Sequence, residues 1–198
     1  MRKNKEITIK KVQDPSASPE LLLKAMDSKF EGVRYFAARN ANATPEILLR
    51  AIDDSFSQKR FSKDLEYHYD ILRHRNANDA VFIKIMERSA AMEGAYSMEH
   101  ILFAIGDNPN ASTNILLKIM EKCFFQYREN KRLKGHNHYF LKEACTRVIN
   151  NPSCTPSILL KYFLLEIEKT IEDRDPLFQI AFTVAIQRHF SPSEPVLA

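Results

Sequence analysis

The stretch Ala38-Arg39-Asn40-Ala41-Asn42-Ala43-Thr44-Pro45-Glu46-Ile47-Leu48-Leu49-Arg50-Ala51-Ile52 constrains this chain more than any other, because it recurs. It predicts a helix end, a tight turn and a new helix start. Thr44 can cap the new helix by accepting from an orphan amide of its first turn. Pro45 takes the first helical position, where no amide hydrogen is needed. Glu46 sets a carboxylate near the positive end of the helix dipole. Ile47, Leu48, Ala51 and Ile52 lie at +3, +4, +7 and +8 from the cap, one stripe on a helix. Asn40, four residues before the cap, tolerates left-handed geometry and can end the preceding helix.

Five copies align on this pattern, with caps Ser18, Thr44, Asp79, Ser112 and Thr155. Their +3/+4 pairs are Leu21-Leu22, Ile47-Leu48, Phe82-Ile83, Ile115-Leu116 and Ile158-Leu159. Their +7/+8 pairs are Ala25-Met26, Ala51-Ile52, Met86-Glu87, Ile119-Met120 and Tyr162-Phe163. Asp14, Asn40, Asn108 and Asn151 stand at −4, while the third copy is read as one residue short, with Asn76 at −3 and Glu87 breaking its stripe. Pro15, Pro109 and Pro152 at −3 block continuation of the previous helix.

The shared pattern, Asn/Asp-Pro/Ala-x-x-Ser/Thr-Pro-x-x-Leu-Leu, resembles the leucine-rich repeat variant family, a HEAT-like α-solenoid class. Asp14–Met26, Ala38–Ile52, Asp107–Met120 and Asn150–Phe163 carry it best. The resemblance implies an all-α fold, a right-handed α-solenoid of about five helix-turn-helix repeats. Some relatives in that family carry an iron–sulfur cluster domain. The cysteines here match no such cluster, so no cofactor is expected. Cap spacings of 26, 35, 33 and 43 residues (44 − 18, 79 − 44, 112 − 79, 155 − 112) leave room for two helices per unit. Stacked pairs can then bury one another's apolar sides.

One domain over residues 1–198 is the natural reading of this length. Gly is scarce, 4 against 9 Pro, which suits helices joined by tight turns. The basic start matches no signal peptide, and no run approaches the roughly 18 apolar residues of a membrane span. Cys123, Cys145 and Cys154 form no close pair motif, so reduced thiols in a cytoplasmic protein are expected.

Charge is uneven. Residues 1–11 hold Arg2, Lys3, Lys5, Lys10 and Lys11 against Glu6, which equals the +4 of the whole chain. This segment reads as a basic arm or a short capping helix. Residues 123–140 form an insertion that sets Arg128, Lys131, Arg132 and Lys134 among Phe124, Phe125, Tyr127, Tyr139 and Phe140. Cations beside aromatics can hold a phosphate backbone while bases stack. The bland alternative is core aromatics and a solvated loop.

Arg39 and Arg75 each precede an asparagine and are read as lying at equivalent positions, and Arg34, Arg73, Arg147 and Arg188 lie on helices leading into the turns. Together they are candidates for lining a concave surface and gripping carboxylates or phosphates. The alternative is solvated cations favouring helix C-termini. The turn asparagines Asn40, Asn76, Asn108 and Asn151 are either a binding ladder or helix-terminating groups. His136-Asn137-His138 with Glu143 and Cys145 lacks a recognised zinc spacing. No Gly-rich phosphate loop, G-x-S-x-G or H-E-x-x-H occurs.

The expectation is a non-enzymatic helical repeat scaffold that mediates protein–protein interaction. Its alternative is a nucleic-acid-binding repeat protein using the arm and the 123–140 insertion.

Overall fold

The computed structural model describes residues 7–57, 65–90, 98–132 and 138–158. Among the described residues there are nine α-helices and no strand. The chain divides into two compact units, residues 1–111 and 112–198. The first holds α1 (Ile9–Gln13), α2 (Pro19–Ala25), α3 (Glu31–Arg39), α4 (Pro45–Ser57), α5 (Leu65–Arg73), α6 (Asp79–Ala90) and α7 (Met98–Gly106). The second holds α8 (Thr113–Arg132) and α9 (His138–Asn150).

In the first unit neighbouring helix pairs pack against one another. The post-turn helix α4 lies between α2 and α6, and the return helix α5 lies between α3 and α7. Crosswise contacts tie α2 to α3, α3 to α4, α4 to α5 and α6 to α7. The short helix α1 packs on α3 and comes close at Gly32, where a Cβ would stand 3.2 Å from Ile9 Cδ1.

The apolar stripe does the packing. Leu22, Leu48 and Phe82 at +4 are fully buried, as are Ala25, Ala51 and Ile85 at +7. Each buried Leu or Ile side chain stabilises the fold by about 2–3 kcal/mol relative to exposure. Ser18 caps α2 by accepting from Leu21 N at 3.3 Å, and Ser112 caps α8 by accepting from Ile115 N at 3.3 Å.

The third copy corrects the sequence alignment. Its cap is Asn78, whose Oδ1 accepts from Val81 N at 3.3 Å, not Asp79. Its inward pairs are therefore Val81-Phe82 and Ile85-Met86, all buried, whereas Ile83 is half-buried and Glu87 is exposed. Nothing is missing from this turn and Glu87 breaks no stripe. The −4 residue is His74, and Asn76 belongs at −2 beside Asn42 and Asn110. The cap chemistry of Asn and Asp is nearly equal, so propensity alone does not separate the two registers.

With that register every turn closes identically. The residue before the cap donates its amide to the −4 carbonyl: Ala17 to Asp14 at 2.9 Å, Ala43 to Asn40 at 2.8 Å, Ala77 to His74 at 2.9 Å, Ala111 to Asn108 at 3.0 Å and Cys154 to Asn151 at 2.9 Å. All five −1 residues are buried, between 0% and 5% exposed, so the position takes only a small side chain.

The −4 side chains explain why the turns stack in this unit. Asn40 is extended, with φ −65° and ψ 135°, so it is not there for left-handed backbone. Its Nδ2 donates to the carbonyls of Val12 at 2.8 Å and Asp14 at 2.9 Å, while its Oδ1 accepts from Asn42 N at 2.9 Å. Asn108 repeats this on Leu72 (2.7 Å) and His74 (3.3 Å), accepting from Asn110 N at 2.8 Å. The −2 residues add an outer rail. Asn42 donates to Pro15 and Ala17 (2.8 and 3.1 Å), Asn76 to Ala41 and Ala43 (3.3 and 2.9 Å), and Asn110 to Arg75. The second, third and fourth turns thus satisfy carbonyls that the preceding helix end leaves open. Asp14 and Ser16 fill these positions in the first turn and bond each other instead.

In the second unit α8 packs on α9 around Ile115, Leu116, Ile119, Met120, Ala144, Val148 and Ile149. Asn151 is 4% exposed and accepts from Ser153 N at 2.9 Å, and Thr113 Oγ1 donates to the Ser153 carbonyl at 3.2 Å. Within the segment 123–140 the described residues are helical. Its first ten residues continue α8 without interruption to Arg132, and α9 begins already at His138. The fifth post-turn helix beyond Ile158, including Leu159, Tyr162 and Phe163, lies outside the described residues, as does everything after it.

Candidate functional site

The ladder consumes Asn40 and Asn108, 7% and 3% exposed, and engages the half-buried Asn76, while Asn151, 4% exposed, accepts from Ser153 N in its own turn. What remains chemically conspicuous lies on the return helices of the first unit. In α3, Tyr35 and Arg39 stand four apart. In α5, Tyr69 and Arg73 stand four apart at the equivalent positions. Spacing of i and i+4 brings the two side chains together on a helix. Accordingly the Arg39 guanidinium sits over the Tyr35 ring at 5.1 Å, and that of Arg73 over the Tyr69 ring at 5.2 Å.

The two cations are used differently. Arg39 Nη1 donates to the Tyr35 hydroxyl, and its Nε lies 3.1 Å from Asp70 Oδ2 on α5. Burial pushes the Asp70 carboxyl above the usual range, with Glu66 adding to this, although Arg39, Arg73 and a Tyr35 hydrogen bond pull it down. Burial likewise raises the Tyr35 phenol, opposed by Arg39. Arg73 is exposed and, among the described residues, its guanidinium makes no ion pair beyond its stack on Tyr69.

Aromatic rings continue from both stacks. Tyr35 meets Tyr67 with centroids 4.9 Å apart. Tyr69 meets His100 edge-on at 6.4 Å, and His100 meets Phe103 at 5.9 Å. Tyr69, His100 and Phe103 are all half-buried. A fixed guanidinium beside half-exposed rings can grip a carboxylate while apolar surface packs alongside.

The other candidate arginines are spent on the fold. Arg34 Nε bonds Asp54 at 2.8 Å and its Nη1 bonds the Ser28 carbonyl at 2.7 Å, so it is a strut between α3 and α4. Arg75 occupies the −3 position, not that of Arg39, and donates to the Ala41 carbonyl at 3.0 Å. Arg147 pairs along its own helix with Glu143 at 2.8 Å in the second unit. Arg188 lies outside the described residues.

Of the basic arm, Lys10 and Lys11 are exposed on α1, while Arg2, Lys3 and Lys5 lie outside the described residues. Arg128, Lys131 and Arg132 belong to the last turns of α8, and Lys134 lies outside. Among the described residues no group of three or more His, Cys, Asp or Glu could hold a metal. His68 Nε2 lies 2.9 Å from Ser55 Oγ, but that hydroxyl donates to the Ile52 carbonyl at 2.8 Å. The hydroxyl thus stands between the Ile52 carbonyl and the imidazole, a buried hydrogen-bonded contact between α4 and α5. Among the described residues no helix is long and apolar enough to cross a membrane.

The Tyr–Arg repeat was open to sequence inspection through its i, i+4 spacing. It is masked when the turns are aligned on Asn40 and Asn76, which pairs Arg39 with Arg75. No protein-family model, curated protein or solved structure matches the chain.

Proposed function

We propose that the chain is a short right-handed α-solenoid of the leucine-rich repeat variant type, acting as a non-enzymatic scaffold that binds another protein along α3, α5 and α7. One observation carries this reading. Arg73 is held on Tyr69 just as Arg39 is held on Tyr35, yet among the described residues no carboxylate comes within ion-pair distance of it, Asp70 acting on it only from farther off. It stands beside the Tyr69–His100–Phe103 rings. Arg and Tyr dominate interface hot spots because they combine apolar area with directional donors. The expected partner presents an acidic side chain flanked by apolar residues.

Site-specific photo-crosslinking in cells tests this. A photoreactive side chain at Phe103 should join one defined protein, and Arg73→Ala should abolish that product. The same group at exposed Glu87 on α6 should yield no such product. Equal labelling at both positions would sink the reading. The nucleic-acid alternative predicts oligonucleotide binding whose log affinity falls linearly with log salt and weakens when Lys10 and Lys11 lose charge. That result, with no protein product, would replace the first reading.

A further inference from the structure

We infer that His74 makes the third turn proton-sensitive, so that acid breaks the bond between its ring and the Asn76 amide and loosens that turn. The position decides it. In the turns before and after, −4 is Asn40 and Asn108, whose amides offer one donor group and one acceptor and do not titrate. His74 supplies the same pair from a ring. Its Nδ1 accepts from Asn76 N at 3.1 Å, which fixes the neutral tautomer with hydrogen on Nε2. That Nε2–H donates to the Asn40 carbonyl at 2.9 Å, one of the bonds that join the two turns beside those of Arg75 and Asn76 to Ala41 and Ala43.

Protonation would place a second hydrogen on Nδ1, pointing at the Asn76 amide hydrogen across the same 3.1 Å. Donor would face donor in a residue only 9% exposed. To accept the proton, the ring and the Asn76 amide must move apart, while the Nε2–H keeps its bond to the Asn40 carbonyl, which suits the cation. On its own turn Arg75 brings a like charge to bear on the ring. On α5 and α3 the charged residues toward this end are Arg73, and Asp70 with Arg39, which pair with each other; among the charged groups only Arg75 shifts the ring. From the second turn the ring faces the Asn40 carbonyl, and from the fourth turn Asn108 donates to the His74 carbonyl. Burial first, and then Arg75, lowers the His74 value below its ordinary 6.5, with the Asn40 carbonyl opposing them. The sign follows. A lowered folded value means the unfolded chain takes up protons first, so the contribution is complete above about pH 6.5 and is lost as pH falls below it.

The test compares the full-length wild type with His74→Asn, the residue used in the neighbouring turns. The remaining histidines are common to both proteins and cancel. Urea unfolding is measured from pH 7.5 to 5.0, with ¹⁵N shifts of the His74 ring and amide exchange at Asn76 and Ala77. The ratio of wild-type to variant unfolding constants should rise by up to about tenfold per pH unit inside the window. The ring should keep its Nε2–H form well below pH 6.5, and protection at Ala77 should then drop in the wild type alone. A pH-independent ratio, or a ring that titrates at 6.5 with Asn76 protection unchanged, would overturn the inference. Should His74→Asn fold poorly, the ring shifts and exchange of the wild type decide alone.

Discussion

Asn108 Nδ2 lies 2.7 Å from the Leu72 carbonyl and so ties the fourth turn to the end of α5, across 36 residues of chain. Its oxygen meanwhile accepts from Asn110 N at 2.8 Å, so both ends of the amide are committed. The side chain is a bracket between turns, and its removal exposes a fault in the stack more than a local loss.

Asn108→Ala should therefore destabilise the protein by about 2–3 kcal/mol, since buried carbonyls lose their donor. Asn108→Asp is the sharper variant. It sets a carboxylate against the carbonyls of Leu72 and His74, so the acid's folded value must rise. A raised folded value in an acid means a penalty that is full at neutral pH and shrinks as pH falls through it. Urea unfolding should show a loss of about 3 kcal/mol or more at pH 7, narrowing toward pH 4. Equal stability of Asn108→Asp and wild type at pH 7 would rule out the bracket.

The register of the third repeat gives a second prediction. Asn78→Ala should cost about 1 kcal/mol through the lost cap. Phe82→Ala should cost about 3–5 kcal/mol, because Phe82 is fully buried. Ile83→Ala should cost less than half of that, because Ile83 keeps part of its surface in water. A larger loss at Ile83 than at Phe82, by thermal or urea unfolding, would restore the register that starts at Asp79.

These two cases show what was legible before any coordinates. Caps and double aliphatic steps are local, repeat every 3.6 residues, and place α2, α4 and α8 correctly from Ser18, Thr44 and Ser112. The asparagine bonds are not local. Asn40 finds its acceptors 26 and 28 residues earlier, so the turn chemistry of Asn suggested helix termination where the side chain is a bridge. His74 was invisible as a substitute because nothing in propensity equates imidazole with amide; only the shared donor–acceptor pair does. The small −1 residues Ala17, Ala43, Ala77, Ala111 and Cys154 were plainly repeated, but alanine draws no notice in a helical chain. The arginines could not be sorted, because whether a guanidinium meets a carboxylate depends on which helices adjoin.

The thiol of Cys154 occupies one of those −1 sites, 3% exposed, and burial pushes it up to about 11. At pH 8 its thiolate fraction should be about two orders of magnitude below that of an ordinary cysteine. Native protein treated with iodoacetamide at pH 8 should therefore label Cys154 at least about 100-fold more slowly than urea-unfolded protein, read by peptide mapping. Rapid native labelling would mean that the fifth turn opens far more readily than its hydrogen bonds imply.

Arg39 and Arg73 separate scaffold from binding. Arg39→Ala strips the half-buried Asp70 of its nearest cation and leaves it beside Glu66, while the Tyr35 hydrogen bond and the field of Arg73 persist. The loss should be about 1–2 kcal/mol at pH 7, below that of a fully buried pair because both side chains keep some solvent. Asp70 already lies above the usual carboxylate range, and without Arg39 it rises further, so the penalty should shrink as pH falls and the carboxyl protonates. Arg73→Ala removes a solvent-facing stack and no ion pair, so stability should stay within about 0.5 kcal/mol of wild type. Only Arg73→Ala should then remove the photo-crosslinked partner while leaving the unfolding curve in place. If instead it destabilises as much as Arg39→Ala, Arg73 is part of the framework, and the face formed by α5 and α7 loses the exposed guanidinium on which the binding reading depends.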